Sequence, residues 1–402
     1  MRGEAQRTRT FLFFSCLIWL LHTYAAPLLA APADTPAYEV SIEGPLTEEL
    51  EVLLPEVSQL IALQERPVAT RNALERRIRR DLELIGKALQ SEGYYGAELA
   101  WEIVEGEPPK VIIKVEPGER FTLAALSVEV PPGTPLHGVE PPSLAQLQTS
   151  LGVPAEATVV IEAEQRMVDY FANRGFPFAE AGPRQVTVDL ATQEMSATLQ
   201  ARPGAYATFG PLAVSGLERL EEAYLREVID WPEGTPFSAA RFEEIRREVA
   251  AMGLFESIAL DKAGEVAADG SLPASLALVE GPPRTVGVGL EYSTEEGGSA
   301  DGVRFDAFWE HRNIFGEAES LRFELAVSLV RQRLATLFRK PNWLDDDQIL
   351  LLNAEFRRED SDAFRELGFL AFGGIERPLR HNLTITTGLG LELLPTDDLD
   401  EI

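Results

Sequence analysis

The sequence predicts an α+β fold of three tandem β-α-α-β-β repeats, followed by the N-terminal part of an antiparallel transmembrane β-barrel. Three observations carry that prediction. Glycine-aromatic stretches recur at Gly93, Gly175 and Gly253, 82 and 78 residues apart. Beyond Thr285 the helical spacing of apolar residues gives way to alternation with a period of two. Ahead of both lies a charged, then apolar, then small-residue N-terminus, the order of a secretory signal.

That N-terminal segment, residues 1–33, is expected to be cleaved near Ala31 or Ala33. Arg2, Arg7 and Arg9 precede an apolar run at 11–21 that is short for a membrane span. Cys16, the sole cysteine, sits inside this run behind Phe13, Phe14 and Ser15, a poor context for lipidation. The remaining chain then needs neither disulfides nor a cysteine-ligated metal. His137, His311 and His381 are far apart, so no metal site, cofactor or catalytic group is read from the sequence. A chain of 402 residues, 45% hydrophobic and 25% charged, suffices for two to four packed domains. Its net charge of -29 argues against a nucleic-acid partner, which demands a basic face.

The first repeat, residues 37–117, opens with "AYEVSIEG", continues in helical patterning to Gly93 and Tyr94, and closes with "AELAWEIV" and "KVIIKVEPG". The second, 118–205, opens with "FTLAALSVEV", turns at Gly175 and Phe176, and closes with "RQVTVDL" and "MSATLQARPG". The third, 206–281, opens with "ATFGPLAVSG", turns at Gly253 and Phe255, and closes with "FESIALDK" and "SLPASLALVEGPP". Its helix starts at Ser238, a good N-cap, with Glu243 and Glu244 in the early turns. Phe242, Ile245 and Val249 share one face of that helix. Glycine suits each helix end because it takes positive φ without a Cβ clash.

From 284 to 402 about seven strands alternate. Val286, Val288, Leu290 and Tyr292 oppose Gly287, Gly289 and Glu291; Val303, Phe305, Ala307 and Trp309 oppose Arg304, Asp306, Phe308 and Glu310. Leu321 to Leu329 places apolar residues on every odd position, and "LTITTGLGLEL" follows suit. Alternation alone fits a soluble sandwich as well as a barrel. The signal, a long polar loop at 293–302 and a short turn at 377–382 favour a barrel with one face to lipid.

In order and size the three repeats resemble polypeptide-transport-associated (POTRA) domains. "GPPRTVGVGLEYSTEEG" followed by "FWEHRNIFGEAESLRFEL" resembles the barrel start of the outer-membrane protein assembly superfamily, the hairpin with Trp309, Asn313, Phe315 and Gly316 being its most recognisable piece. Three POTRA units resemble the TamA-like branch. The resemblance implies an outer-membrane assembly or translocation factor of a Gram-negative bacterium, not an enzyme, with its POTRA units in the periplasm. Outer-membrane lipid and unfolded β-barrel or autotransporter clients would be its partners, with a TamB-like inner-membrane-anchored protein on the first unit. It also implies a lateral gate, one side of which falls on Thr285, Val286, Gly287, Val288, Gly289, Leu290, Glu291 and Tyr292. The glycines there soften the strand or simply make room in the lumen.

Two departures from the family pattern stand out. Seven strands would leave two open edges in lipid, so the chain is expected to be a fragment or a truncated reading frame. The superfamily's late Arg-Gly-Tyr loop motif is missing, and "NRGFPF" at 173–178 resembles it only superficially. A two-partner secretion transporter usually has two POTRA units and a plug helix, and the main barrel-assembly subunit usually has five units. A soluble periplasmic enzyme is the remote alternative: Glu243 with Glu244 and the acids at 345–347 read better as a solvated helix face and a turn.

Overall fold

The structure is a computed structural model that describes residues 37–66, 68, 70–293, 302–345, 347–360, 364–380, 383–394 and 396–398. The expected signal with Cys16, most of the loop at 293–302, and His381 lie outside the described residues. Two compact bodies, Met1–Arg120 and Phe121–Ile402, make up the chain.

The first body holds β1 (Glu39–Glu43), α1 (Glu48–Val57), α2 (Gln59–Ala62), α3 (Arg71–Ser91), β2 (Glu98–Val104) and β3 (Lys110–Glu116). The sheet order is β1-β3-β2, with β1 parallel and β2 antiparallel to β3. Thr47 caps α1 through its hydroxyl, and Glu48, Glu49 and Glu51 sit in the first turn, where the helix dipole favours acids. Pro55 removes one donor, and the helix ends at Ser58. Ser58 Oγ donates to the fully buried Asp81 at 2.7 Å, and Asp81 accepts from Leu60 N at 3.0 Å, so one carboxylate satisfies the break. Val111, Ile113 and Val115 of β3 and Ile78, Ile85 and Leu89 of α3 form the core.

The second body opens with a repeat of β4 (Thr122–Glu129), α4 (Ala157–Ala172), β5 (Glu180–Ala181), β6 (Gln185–Asp189) and β7 (Glu194–Arg202). β4 runs parallel to β7, with β5 and β6 antiparallel on its other side. Here the expected first helix is replaced by turns at 144–148. Pro131, Pro132, Pro135, Pro141 and Pro142 remove donors and push their predecessors out of helical space, leaving only enough chain for one turn. That turn still delivers Leu147 to the core, 1% exposed.

The next repeat follows the expected order: β8 (Thr208–Ser215), α5 (Glu222–Ile229), α6 (Ala239–Ala251), β9 (Phe255–Lys262) and β10 (Ser271–Glu280), in sheet order β8-β10-β9. Ser238 Oγ accepts from Arg241 N, and Phe242, Ile245 and Val249 are buried, as their spacing predicts.

An antiparallel sheet completes the body: β11 (Arg284–Ser293), β12 (Gly302–Arg312), β13 (Ser320–Val327), β14 (Arg331–Lys340), β15 (Ile349–Asp360), β16 (Phe364–Arg380) and β17 (Leu383–Leu393), in that spatial order. A short β18 (Thr396–Asp398) pairs back onto β16. The register lines up the apolar residues of neighbouring strands: Leu290 with Phe305, Phe305 with Val327, Leu325 with Leu334, Leu334 with Phe356, Phe356 with Phe369, and Phe369 with Leu393. One face of the sheet is therefore continuously apolar. Val286, Val288, Leu290 and Tyr292 on it are 70, 75, 79 and 71% exposed, too much for the inner face of a soluble core. Among the described residues no helix is long and apolar enough to cross a membrane.

Candidate functional site: the first sheet strand and its seat

Among the described residues β11 is hydrogen-bonded on one side only, to β12. On the polar face the two glycines differ. Gly287 lies opposite Phe308, whose ring occupies the space that a Cβ at Gly287 would need. Gly289 lies opposite Asp306, whose Cβ is the nearest atom at 3.9 Å. A hollow of about 330 Å³ borders both glycines, walled by Arg304, Phe308, Arg322 and Arg333. The Arg322 guanidinium sits 4.0 Å over the Phe308 ring and 2.7 Å from Glu324. The ladder continues across strands through Glu324 to Arg333 at 3.1 Å and Arg333 to Glu355 at 2.9 Å. The polar face is thus self-neutralising, alternating in sign from strand to strand.

The β12–β13 hairpin builds the seat. Asn313 and Ala318 take positive φ of 57° and 63°, and Asn313 Oδ1 accepts from Ala318 N at 3.1 Å. Glu319, 1% exposed, accepts from Phe315 N and Glu317 N, while Lys340 pairs with Glu317 and Glu319. Gly316 O accepts from Glu221 N at 2.9 Å, just before α5; a side chain at Gly316 would meet Glu221 and the Arg219 carbonyl. Asn342 Nδ2 donates to Tyr224 Oη at 3.3 Å. Burial, reinforced by Glu319, Glu317 and Glu227 and opposed by the Asn342 hydrogen bond, pushes the Tyr224 hydroxyl up to about 12. Trp309 lies on the apolar face against Phe323, ring centroids 5.7 Å apart, and Phe315 projects at the hairpin tip, 70% exposed.

Of the glycine-aromatic pairs, Gly93, Gly175 and Gly253 all take positive φ at helix ends, and Tyr94 and Phe176 are buried below them. Phe255 is partly buried against the third repeat's core. Two of the three also join neighbouring elements. Gly175 N donates to Phe237 O, its carbonyl accepts from Ala207 N, and Tyr206 fills the space beside it. Asn173 Oδ1 accepts from Ala240 N at 2.7 Å, so the end of α4 caps the start of α6. Lys262 Nζ donates to Pro177 O at 2.5 Å, and burial lowers its pKa. Gly253 O accepts from Arg312 Nη1 at 3.3 Å, and Arg312 Nη2 donates to Thr285 Oγ1 at 3.2 Å, tying the third repeat to β11 and β12. Glu280, 3% exposed, accepts from the N–H groups of Glu218, Arg219 and Leu220 and pairs with Arg219.

No motif in the sequence marks the roles of Asn173, Tyr224, Asn342, Glu280 or Phe308 in these contacts. Only Phe308 left a signal, an aromatic ring on the charged face of its strand.

No family model matches the sequence. The structure of BamA from Haemophilus ducreyi lacking POTRA domains 1–3 is similar, with TM-score 0.56, 15% identity, and coverage of 70% of this chain and 52% of that one. The chain thus spans about half the length of that structure. POTRA3–5 of Haemophilus influenzae BamA (TM-score 0.36, 17% identity, 61% of this chain and 96% of that one) and CdiB from Escherichia coli (TM-score 0.38, 16% identity, 71% and 53%) also match, but superpose too loosely to add to this. The likeness to BamA is one of fold: POTRA-type α+β repeats running into an antiparallel barrel-type sheet.

Proposed function

We propose that this chain is an outer-membrane assembly factor of the superfamily that its barrel start resembles. It helps insert or secrete β-barrel and autotransporter clients, with its sheet in the outer membrane of a Gram-negative cell and its POTRA units in the periplasm. The three-unit arrangement supports the TamA-like branch and, with it, a TamB-like inner-membrane-anchored partner on the repeat of residues 37–117. The single observation that carries the reading is an antiparallel sheet with a continuous apolar face whose first strand, β11, is anchored to the third α+β repeat. When the first strand of such a sheet is unpaired it templates an incoming strand by main-chain hydrogen bonding, while its apolar neighbours keep that strand at lipid depth. The test is reconstitution into liposomes with an unfolded barrel client, scoring protease-resistant folded client over time. Faster folding than in empty liposomes supports the reading; an unchanged rate overturns it.

A further inference from the structure

On α4, α5 and α6 arginines find an acid of their own helix: Arg166 pairs with Glu162, Arg226 with Glu222, Arg241 with Glu244 and Arg246 with Glu243. On α3 of the first repeat the pattern changes. Arg76, Arg79, Arg80 and Lys87 are exposed, and among the described residues none of them has an ion pair. At 3.6 residues per turn the four fall on one stripe, which runs about 16 Å from Arg76 to Lys87. The opposite side of α3, with Leu74, Ile78, Ile85 and Leu89, is buried in the core. Asp81 is buried there too, taken up by Ser58 and Leu60. Arg77 turns away from the stripe and donates to Tyr38 Oη at 3.0 Å. Among the described residues of α3, Glu83 is the one acid on the stripe.

The stripe does nothing for the helix itself. Arg76 and Arg80 are like charges at i,i+4, a repulsive spacing. Arg76, Arg79 and Arg80 lie mid-helix, out of reach of the dipole at its C-terminal end. The chain around them carries a net charge of -29, yet no described acid pairs with them. We infer that the exposed face of α3 is a docking surface for a short acidic segment of a partner protein. Clustered arginines recognise carboxylates through paired N–H donors. The stripe carries no apolar side chain, and the apolar side of α3 is buried in the core, so the helix has nothing to insert into a bilayer. That favours a protein over a lipid surface. Screening confines the stripe's pull to about 8 Å at physiological salt. A large acidic body meets the acidic remainder of the chain as well, whereas a short segment meets mainly the stripe. The inference goes beyond the partner proposed above: it rests on α3 alone and holds whichever protein supplies the segment.

The test measures binding of a fluorescein-labelled peptide of alternating Glu and Ser to the full chain in uncharged lipid nanodiscs, by fluorescence anisotropy. A peptide with Gln for Glu is the control and binds far more weakly. Arg76→Gln combined with Arg80→Gln lowers affinity for the Glu peptide about two- to ten-fold. Arg202→Gln combined with Arg247→Gln, an equal loss of exposed charge on the other repeats, leaves it nearly unchanged. Glu83→Gln raises the affinity, a gain that keeps the test decisive should the double variant fail to fold. Equal effects of the two double variants, or equal binding of the Glu and Gln peptides, overturn the inference. Displacement of the Glu peptide by phosphatidylglycerol vesicles at a lower anion concentration than by unlabelled peptide also overturns it, because the surface then serves anionic lipid.

Discussion

At the scale of single residues, the glycines of β11 and of the helix ends separate by what surrounds them. Gly287→Ala drives a methyl group into the Phe308 ring and is expected to cost about 1–3 kcal/mol. Gly289→Ala meets only ordinary contact and costs little by comparison. Urea titration of the sheet checks this, and Phe308→Ala combined with Gly287→Ala recovers most of the loss because the two share one contact. Likewise Gly175→Ala, at φ 93° and against Tyr206, destabilises more than Gly253→Ala, which has open space at φ 65°. Glu280 supplies a pH dependence. Burial alone would raise its pKa, but the N–H groups of Leu220, Arg219 and Glu218 and the Arg219 charge hold it below the ordinary glutamate value. A depressed native pKa stabilises above the unfolded value and loses that contribution as pH falls toward the native one. Amide exchange at Glu218, Arg219 and Leu220 therefore accelerates as pH drops below about 4.3, after correction for intrinsic rates, and Glu280→Gln flattens that dependence.

At the scale of elements, α4 and α6 are coupled although a helix end and the next repeat's helix start are 67 residues apart. Asn173→Ala removes the acceptor for Ala240 N and costs about 1 kcal/mol, typical of a lost cap. Faster exchange in the first turn of α6, and a broader spin-label distance distribution between α4 and α6, report the loosened joint. Much of this level was legible in the sequence. The alternation of β13, the Ser238 cap and the face of Phe242, Ile245 and Val249 depend on local spacing, which a linear reading sees. The second repeat's first helix was expected from the order the three repeats share, but Pro131, Pro132, Pro135, Pro141 and Pro142 leave too little chain for one. The joints were invisible because Asn173 with Ala240, and Glu280 with Leu220, meet only after folding. Phe308 was legible in principle: a ring among Arg304, Asp306 and Glu310 needs a gap in the facing strand, and Gly287 is that gap.

At the scale of the molecule, the second body runs from an α+β repeat through a capped joint to a second repeat and on to the sheet. The contacts of Arg312 with Gly253 and Thr285, of Gly316 with Glu221 and of Asn342 with Tyr224 hold the third repeat beside the start of β11. On the proposed reading, a strand pairing with β11 meets it next to a fixed α+β module. We propose that a client strand pairs along β11. The most direct measurement places a photocrosslinking amino acid at Leu290 and illuminates during insertion of a labelled barrel client into proteoliposomes. Our account predicts a crosslink to the client that appears before the client becomes protease-resistant and disappears as it is released. Insertion that proceeds at the normal rate with no client crosslink at Leu290 would contradict it.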